Sequence, residues 1–188
     1  MSLDLRLLLR KHPPMPSDID LRTHIRAIPG FPQPGILFRD ITPLLHEPAA
    51  FRAANEQLAE IARSLGATLI AGIEARGFLF GVPVAQQLNL PFVPIRKPGK
   101  LPADRASVFY QLEYGQDSLE LHRDPSIDGH RVVIVDDLLA TGGTAAAAAQ
   151  LVEELGGTIA GCAFVIELDA LEGSSRLNGH TAHSLLHY

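Results

Sequence analysis

The sequence has 188 residues, of which 46% are hydrophobic and 20% are charged, and its formal net charge is −5 at pH 7. These values are ordinary for a globular protein, so we predict a single domain over residues 1–188 with a packed core. The negative charge gives no electrostatic case for binding nucleic acid or an anionic membrane. The chain has a single cysteine, Cys162, which excludes a disulfide framework, and its apolar surroundings in the sequence predict a buried thiol. The sequence has no signal-peptide pattern, so we expect a cytoplasmic location.

The first part of the chain is rich in proline and predicts short elements. About 18 residues form an N-terminal extension, and Ser17 is placed to cap a helix over residues 18–28. The proline- and glycine-rich run of residues 29–35 is incompatible with regular structure. It precedes a short predicted strand over residues 36–38.

Further along, apolar runs of strand length alternate with segments of helix length. Strands are predicted over residues 68–73, 92–95, 132–135 and 158–167. Helices are predicted over residues 48–65, 78–88 and 145–155, and a hairpin over residues 108–113 and 118–122. This alternation predicts an α/β fold with a mainly parallel central sheet flanked by helices.

The most informative segment is VVIVDDLLATGGT, residues 132–144. Its apolar start predicts a strand buried on both faces, and Asp136 and Asp137 follow at the carboxyl end. A turn of small residues then precedes a helix: Ala140, Thr141, Gly142, Gly143 and Thr144. Backbone N–H groups at a helix start suit a phosphate monoester, whereas paired carboxylates accept hydrogen bonds from vicinal hydroxyls. The segment therefore predicts a sugar-phosphate site; the simpler alternative is that the acids only cap the next helix.

Three other segments carry candidate residues. In the turn EARG, Arg76 could bind a diphosphate, or it could form a surface ion pair. Lys97 and Lys100 lie in a basic, proline-containing loop, which is either a solvated surface loop or a mobile flap over phosphates. Glu113 is either a turn carboxylate or a catalytic acid or base.

The histidines do not predict a metal site. His180, His183 and His187 would share the face of a helix, but their segment has a pattern more typical of a strand. That strand would place His180 opposite the other two, and the sequence contains no HExxH pattern.

Five segments, in this order, resemble the type I phosphoribosyltransferases. They are FPQPGILFRDITPLL (residues 31–45), EARGFLFG (74–81), RKPGKLP (96–102), LEYG (112–115) and DDLLATGGT (136–144). The last of these is typical of the whole superfamily, whereas the first and LEYG point to the branch that uses adenine. The resemblance runs from about residue 19 to the C-terminus.

The resemblance implies the family fold, with a base-binding hood over residues 29–45 and a flexible flap over residues 97–112. It implies purine salvage, in which adenine and 5-phospho-α-D-ribose 1-diphosphate give AMP and diphosphate. Mg²⁺ would be held mainly through the substrate, and the protein would be a homodimer. The implied catalytic residues are Glu113, Arg76, Asp136 and Asp137.

The resemblance also implies contacts for each part of the substrates. Asp136 and Asp137 would hold the ribose hydroxyls. The 5′-phosphate would bind Ala140, Thr141, Gly142, Gly143 and Thr144, and the diphosphate would bind Arg76, Lys97 and Lys100. Phe38 and Leu138 would sandwich adenine, and the backbone of Leu37 and Arg39 would contact its edge.

Two alternatives remain open. The chain could be a related enzyme that uses a 6-oxopurine such as hypoxanthine, guanine or xanthine. It could also be a non-catalytic regulator that senses the ribose diphosphate. Such a regulator would carry an added DNA-binding module and a basic face, and the sequence shows neither feature.

Overall fold

The computed structural model of the chain describes residues 19–112 and 115–188. These residues form two compact units, one ending at Ala53 and the other covering Ala54–Tyr188. The single domain expected over the whole chain stays a prediction. The N-terminal extension, Ser17 and the first residue of the helix expected from residue 18 lie outside the described residues.

The first unit contains short elements and an antiparallel strand pair. A 3₁₀ helix spans Leu21–His24 and is followed by β1 (Arg26–Pro29), β2 (Leu37–Asp40) and the short helix α1 (Thr42–His46). The next helix, α2, spans Pro48–Ser64, in good agreement with the helix predicted over residues 48–65.

The helix predicted over residues 18–28 is therefore wrong. Asp20 does cap a helical turn by accepting a hydrogen bond from the Arg22 N–H at 3.0 Å, but the backbone is already extended at Ile25. Arg26 is then the register partner of Asp40, and its Nε donates to Asp40 Oδ2 at 3.0 Å. Pairing with a distant strand thus overrides the local helical signal, a common outcome because intrinsic propensity is weak.

The second unit contains the sheet that the sequence predicts. Five parallel strands lie in the order β4-β3-β7-β8-β9. They are β3 (Leu69–Ile73), β4 (Phe92–Ile95), β7 (Arg131–Leu139), β8 (Thr158–Glu167) and β9 (Ala182–His187). The helices α3 (Arg76–Leu88) and α4 (Gly143–Glu154) connect them, which confirms the α/β fold class.

The connections run in opposite directions from the centre of the sheet. From β3 the chain passes through α3 to β4 on one side, whereas from β7 it passes through α4 to β8 on the other. Because such crossovers are right-handed, the two helices cover opposite faces of the sheet. The strand order reverses between β3 and β7, so their carboxyl ends form the crevice in which open α/β sheets bind ligands.

The predicted hairpin is also present. It consists of β5 (Arg105–Leu112) and β6 (Gly115–His122), which pair antiparallel and pack against α4. The strand predicted over residues 132–135 is longer in the structure, because β7 continues to pair with β8 as far as Leu139. Asp136 and Asp137 therefore lie within β7 rather than after it.

The core surrounds the centre of the sheet. Residues 132–135 are completely buried, and large side chains such as Ile134 and Phe164 pack there with the alanine-rich face of α4. Small alanine side chains allow this helix to approach the sheet closely. Cys162 is buried on β8, as expected, and burial raises the pKa of its thiol to about 12. None of the helices in the described ranges is long and apolar enough to cross a bilayer.

Candidate active site

A pocket of about 280 Å³ opens at the reversal point between β3 and β7. Strand β3 pairs with β7 only as far as Gly72 and Val135, so the next residues of β7 lose their neighbour on that side. The polar ends of both strands therefore face one cavity. Its lining is formed by Ile73, Glu74, Ala75, Arg76, Lys97, Asp136, Asp137 and Thr144.

The two aspartates at the end of β7 are a buried and a partly buried member of this pocket lining. Asp137 is 3% exposed, and its backbone N–H donates to Oδ1 of Asp136 at 2.9 Å. Burial, together with repulsion from Asp137, holds the pKa of Asp136 well above its ordinary value. Burial also raises the pKa of Asp137, although the nearby guanidinium of Arg76 opposes this shift. Further hydrogen-bond donors from a ligand would stabilise the charged form of both carboxylates.

Arg76 joins the two strand ends. It is the first residue of α3, and its Nε lies 2.9 Å from Oδ2 of Asp137. Because Asp137 is buried, this contact differs from the exposed surface ion pair considered as an alternative. About half of the Arg76 side chain is exposed to the pocket side, so the guanidinium can also meet an anionic ligand. The peptide bond between Glu74 and Ala75, in the same turn, is cis.

Gly77 was not singled out by sequence reasoning, although it shapes this site. A Cβ added there would lie 2.6 Å from the carbonyl oxygen of Val135 and 3.0 Å from Oδ1 of Asp136. A side-chain Cβ does not come this close to a carbonyl oxygen, so α3 can approach β7 at this distance only if residue 77 is glycine. The EARG turn contained this signal, since glycine often marks close approach of two backbones.

The predicted phosphate turn starts the helix α4. Gly142 is its N-cap residue and has φ +80°, a left-handed conformation that favours glycine. Its missing side chain is also required for packing, because a Cβ there would lie 2.2 Å from the carbonyl oxygen of Gly173. Sequence reasoning did not find Gly173, whose backbone packs closely against this turn; a Cβ at Gly173 would lie 2.2 Å from the carbonyl oxygen of Ala140. Of the five residues predicted to hold the phosphate, Thr144 lines the pocket, whereas Ala140, Thr141, Gly142 and Gly143 are not among the lining residues. The first N–H groups of any helix have no partner within it, so the start of α4 suits an anion.

Residues at the base of the predicted flap are anchored to the same strand ends. The Glu74 carboxylate accepts hydrogen bonds from Nε of Arg96 at 2.8 Å and from the backbone N–H of Lys97 at 2.9 Å. The bond from Arg96 is the main reason why the pKa of Glu74 is lowered, despite some burial. Lys97 lines the pocket, whereas Lys100 is exposed and is not among the lining residues. Glu113 lies outside the described residues.

The residues expected to contact adenine are divided between the units. Leu37, Phe38 and Arg39 lie on β2 in the first unit, and Leu138 lies on β7 in the second. The ring of Phe38 packs edge-on against Phe31, with the centroids 5.1 Å apart. Phe31 and Leu37 are about half exposed, so β2 presents apolar surface. The sandwich by Phe38 and Leu138 stays a prediction.

Comparison with known proteins agrees with this arrangement. A family model described as the phosphoribosyl transferase domain matches residues 40–180. An adenine phosphoribosyltransferase from Methylococcus capsulatus is 59% identical over 89% of this chain and 98% of its own length.

Solved structures give the same result. The adenine phosphoribosyltransferase of Thermoanaerobacter pseudethanolicus has a TM-score of 0.86 at 52% identity and covers 89% of this chain and 98% of its own. The enzyme of Saccharomyces cerevisiae, in complex with an imino-altritol bisphosphate and adenine, has a TM-score of 0.83 at 41% identity, with 88% and 96% covered. With the glycine turn, the paired acids and the arginine at one sheet edge, the chain belongs to the phosphoribosyl transferase family, within its adenine phosphoribosyltransferase branch.

Proposed function

We propose that this protein transfers the 5-phosphoribosyl group from 5-phospho-α-D-ribose 1-diphosphate to adenine, giving AMP and diphosphate in purine salvage. The observation that carries this proposal is that Arg76, Lys97, Asp136, Asp137 and Thr144 line one and the same pocket. It offers cationic groups, paired carboxylates and the start of a helix within one cavity. A ribose that carries phosphate at both ends needs this combination of groups.

The ribose phosphate half of the substrate fits the β7–α4 connection. The 5′-phosphate binds the backbone N–H groups of residues 140–144, where the positive end of α4 favours an anion. The ribose hydroxyls donate to Asp136 and Asp137, which lie just before the turn. Buried carboxylates with raised pKa values gain from such donors, because hydroxyls replace the water that these groups lose on folding.

The diphosphate half fits the basic side of the pocket. Arg76 and Lys97 line the same cavity as the two aspartates, and Lys100 lies in the predicted flap that follows Lys97. As the bond at the anomeric carbon breaks, negative charge grows on the leaving diphosphate and positive charge on the ribose. Arg76 stabilises the first charge, and Asp136 and Asp137 stabilise the second. Glu113 is the proposed acid or base near the purine.

Mg²⁺ is proposed as the cofactor, held mainly through the substrate. The lining fits such an ion because Mg²⁺ prefers oxygen ligands and often binds through phosphates plus few protein groups. Asp136 and Asp137 are the acidic groups of the β7 end that face this cavity, although neither is proposed as a direct ligand. When bound, the ion neutralises charge on the leaving diphosphate.

Adenine recognition is proposed for β2, with Phe38 and Leu138 contacting the ring faces. Adenine has an amino donor beside a ring acceptor, and the backbone C=O and N–H groups of Leu37 and Arg39 match both. A 6-oxopurine presents an acceptor in place of the amino group and leaves a carbonyl unpaired. Such a mismatch costs about 1–3 kcal/mol.

We further propose a homodimer in the cytoplasm. The exposed side chains of Leu79 and Val82 lie one turn apart on α3 and provide an apolar contact surface for a second copy. Sedimentation equilibrium of the purified protein tests this state, and a monomer at micromolar concentration contradicts it.

One assay tests the proposed reaction. The purified protein is mixed with Mg²⁺, the ribose diphosphate and one base at a time: adenine, hypoxanthine, guanine or xanthine. We expect AMP formation to exceed the other products by about 10- to 100-fold in kcat/KM, as the hydrogen-bond mismatch predicts. Faster use of a 6-oxopurine contradicts the choice of base, and absence of turnover with every base contradicts the reaction. Excess EDTA is expected to stop turnover, and activity that persists contradicts the cofactor.

A further inference from the structure

A hydrogen-bonded group of side chains surrounds the ammonium of Lys97. Tyr110 and Asp117 are register partners across the β5–β6 hairpin, so both side chains leave the same face of it. Nζ of Lys97 donates to Oη of Tyr110 at 2.9 Å and also to the Asp117 carboxylate. We refer to Lys97, Tyr110, Asp117 and Thr144 as the Lys97 cluster.

The phenol of Tyr110 uses its full hydrogen-bonding capacity in this cluster. Its hydroxyl donates to Oδ2 of Asp117 at 3.1 Å. It accepts a hydrogen bond from Lys97 and a long one, 3.4 Å, from Oγ1 of Thr144 in the phosphate turn. One donor and two acceptor positions are all that a phenol has, so each partner has a defined place.

Lys97 retains one N–H for a ligand. An ammonium has three donors, and the described residues supply two acceptors for them, Tyr110 and Asp117. Lys97 and Thr144 line the pocket, whereas Tyr110 and Asp117 are not part of its lining. Tyr110 thus contacts both pocket-lining residues of the cluster, Lys97 and Thr144, and Asp117 contacts Lys97.

Both charges of the ion pair persist at neutral pH. Partial burial acts to lower the pKa of Lys97, but the hydrogen bonds to Asp117 and Tyr110 outweigh it and the pKa is raised. The hydrogen bond from Lys97 lowers the pKa of Asp117. A flexible lysine that is held by two partners loses its rotamer freedom before the ligand arrives, which favours binding.

The opposite role for Asp117 would be competition, because a carboxylate beside Lys97 can compete with an anionic ligand for the same ammonium. The geometry decides against competition. Lys97 lines the pocket and Asp117 does not, and Asp117 and Tyr110 engage two of the three donors of the ammonium.

We propose that Asp117 and Tyr110 are positioning residues, which hold the ammonium of Lys97 toward the diphosphate group of the substrate. This inference rests on the proposed function, because it requires a diphosphate in the pocket. It assigns a role to two residues of the β5–β6 hairpin that do not line the pocket.

The test measures binding of Mg²⁺-diphosphate and of AMP by titration calorimetry. We expect Asp117→Ala to weaken diphosphate binding by about tenfold, roughly the effect of losing one hydrogen bond to a charged group. AMP binding is expected to change by less than about twofold, because AMP lacks the group that Lys97 meets. In turnover, KM for the ribose diphosphate rises while KM for adenine stays the same.

Two further variants separate geometry from charge. Asp117→Asn retains an acceptor for Lys97, so it is expected to recover most of the lost affinity. Tyr110→Phe removes the other acceptor and is expected to weaken diphosphate binding by about threefold. The matched control is Asp104→Ala, which removes the same charge from the open end of the same hairpin, where Asp104 is highly exposed and pairs with Arg123 at 3.7 Å.

A double-mutant cycle shows whether Asp117 acts through Lys97. In a Lys97→Ala background, Asp117→Ala is expected to have no additional effect on diphosphate binding. An equal effect in both backgrounds, an effect no larger than that of Asp104→Ala, or tighter binding by Asp117→Ala overturns the inference alone. Failure of the unmodified protein to bind Mg²⁺-diphosphate overturns the proposed function together with it.

Discussion

Nε of Arg76, at the start of α3, lies 2.9 Å from Oδ2 of Asp137, near the carboxyl end of β7. The two residues are 61 positions apart in the chain. Their contact links the side chain proposed for the diphosphate with one proposed for the ribose. Changes at either residue therefore affect both halves of the pocket, although to different extents.

Substitution of Arg76 tests this link. We expect Arg76→Gln to lower kcat/KM for the ribose diphosphate by about 100-fold, the effect of losing charge-assisted hydrogen bonds to an anion. Binding of AMP at pH 8 is expected to change by less than about threefold, because AMP has no diphosphate. Steady-state kinetics and calorimetry measure the two quantities. Equal losses for both ligands would show that Arg76 acts only by holding Asp137.

Substitution of Asp136 is expected to separate stability from activity. Its pKa is raised in the folded protein, so the folded state binds more protons than the unfolded state between the ordinary aspartate pKa and the raised one. Stability therefore falls as pH increases through that window. Asp136→Asn has no such charge and is expected to unfold at a higher temperature at pH 7 while losing AMP synthesis.

Thermal unfolding between pH 4 and pH 8 and the AMP synthesis rate check this expectation. A lower unfolding temperature for Asp136→Asn at pH 7 contradicts the raised pKa. Near-normal turnover contradicts the role of Asp136 in holding the ribose.

Substitution of Gly77 tests the close approach of α3 to β7. The added methyl group of Gly77→Ala would lie 2.6 Å from the Val135 carbonyl oxygen and 3.0 Å from Oδ1 of Asp136. Either α3 or this part of β7 must therefore move. We expect a loss of about 1–3 kcal/mol in the free energy of unfolding, as for other overpacked sites, together with most of the activity. Urea unfolding and turnover are the measurements.

Gly129 provides a control for this variant. It has φ +74°, and a Cβ added there would meet no atom within 4 Å. Gly129→Ala is expected to cost about 1 kcal/mol through backbone strain and to keep full activity. If Gly77→Ala keeps full activity, as expected for Gly129→Ala, the close approach of α3 to β7 is not needed for catalysis.

Asp40 gives the first unit a dependence on acid pH. Its pKa is lowered to about 2, chiefly by hydrogen bonds from the hydroxyl and N–H of Thr42 and also by Arg26. A lowered pKa stabilises the fold above the ordinary value of 3.8, and this contribution is lost as pH falls toward about 2.

We therefore expect Asp40→Ala to reduce the free energy of unfolding by about 1–2 kcal/mol at pH 7, as for other lost capping groups. The difference from the unmodified protein should shrink below pH 4. Urea unfolding across this pH range measures it, and a difference that stays constant down to pH 2 contradicts the assignment.

Much of the sheet could be predicted from local patterns. The run of residues 132–135 is apolar without interruption, and it forms a fully buried strand as expected. The helix expected after the glycine turn is also present, although it begins at Gly143 rather than at Ala145. The predicted helix over residues 18–28 was wrong because β1 pairs with β2, which follows it in the chain and which no local pattern in residues 18–28 announces.

The site could be predicted only in part. Arg76, Lys97, Asp136, Asp137 and Thr144 do line one pocket, as the order of strand ends and the family resemblance implied. Gly77 and Gly173 were missed, because their importance comes from backbone atoms of distant segments. Asp117 was missed for the same reason, since only the hairpin register brings it to Lys97.

By itself, the sequence determined the elements of the sheet, the residues at its carboxyl edge and the family to which the chain belongs. Hydrophobic runs and turn residues act over a few positions, so they can be read directly along the chain. Only the tertiary structure decided which charged groups pair: Arg76 with Asp137, and Lys97 with Asp117. Such pairs depend on burial and on distances of a few ångströms between segments that are far apart in sequence, and these quantities exist only after the chain has folded.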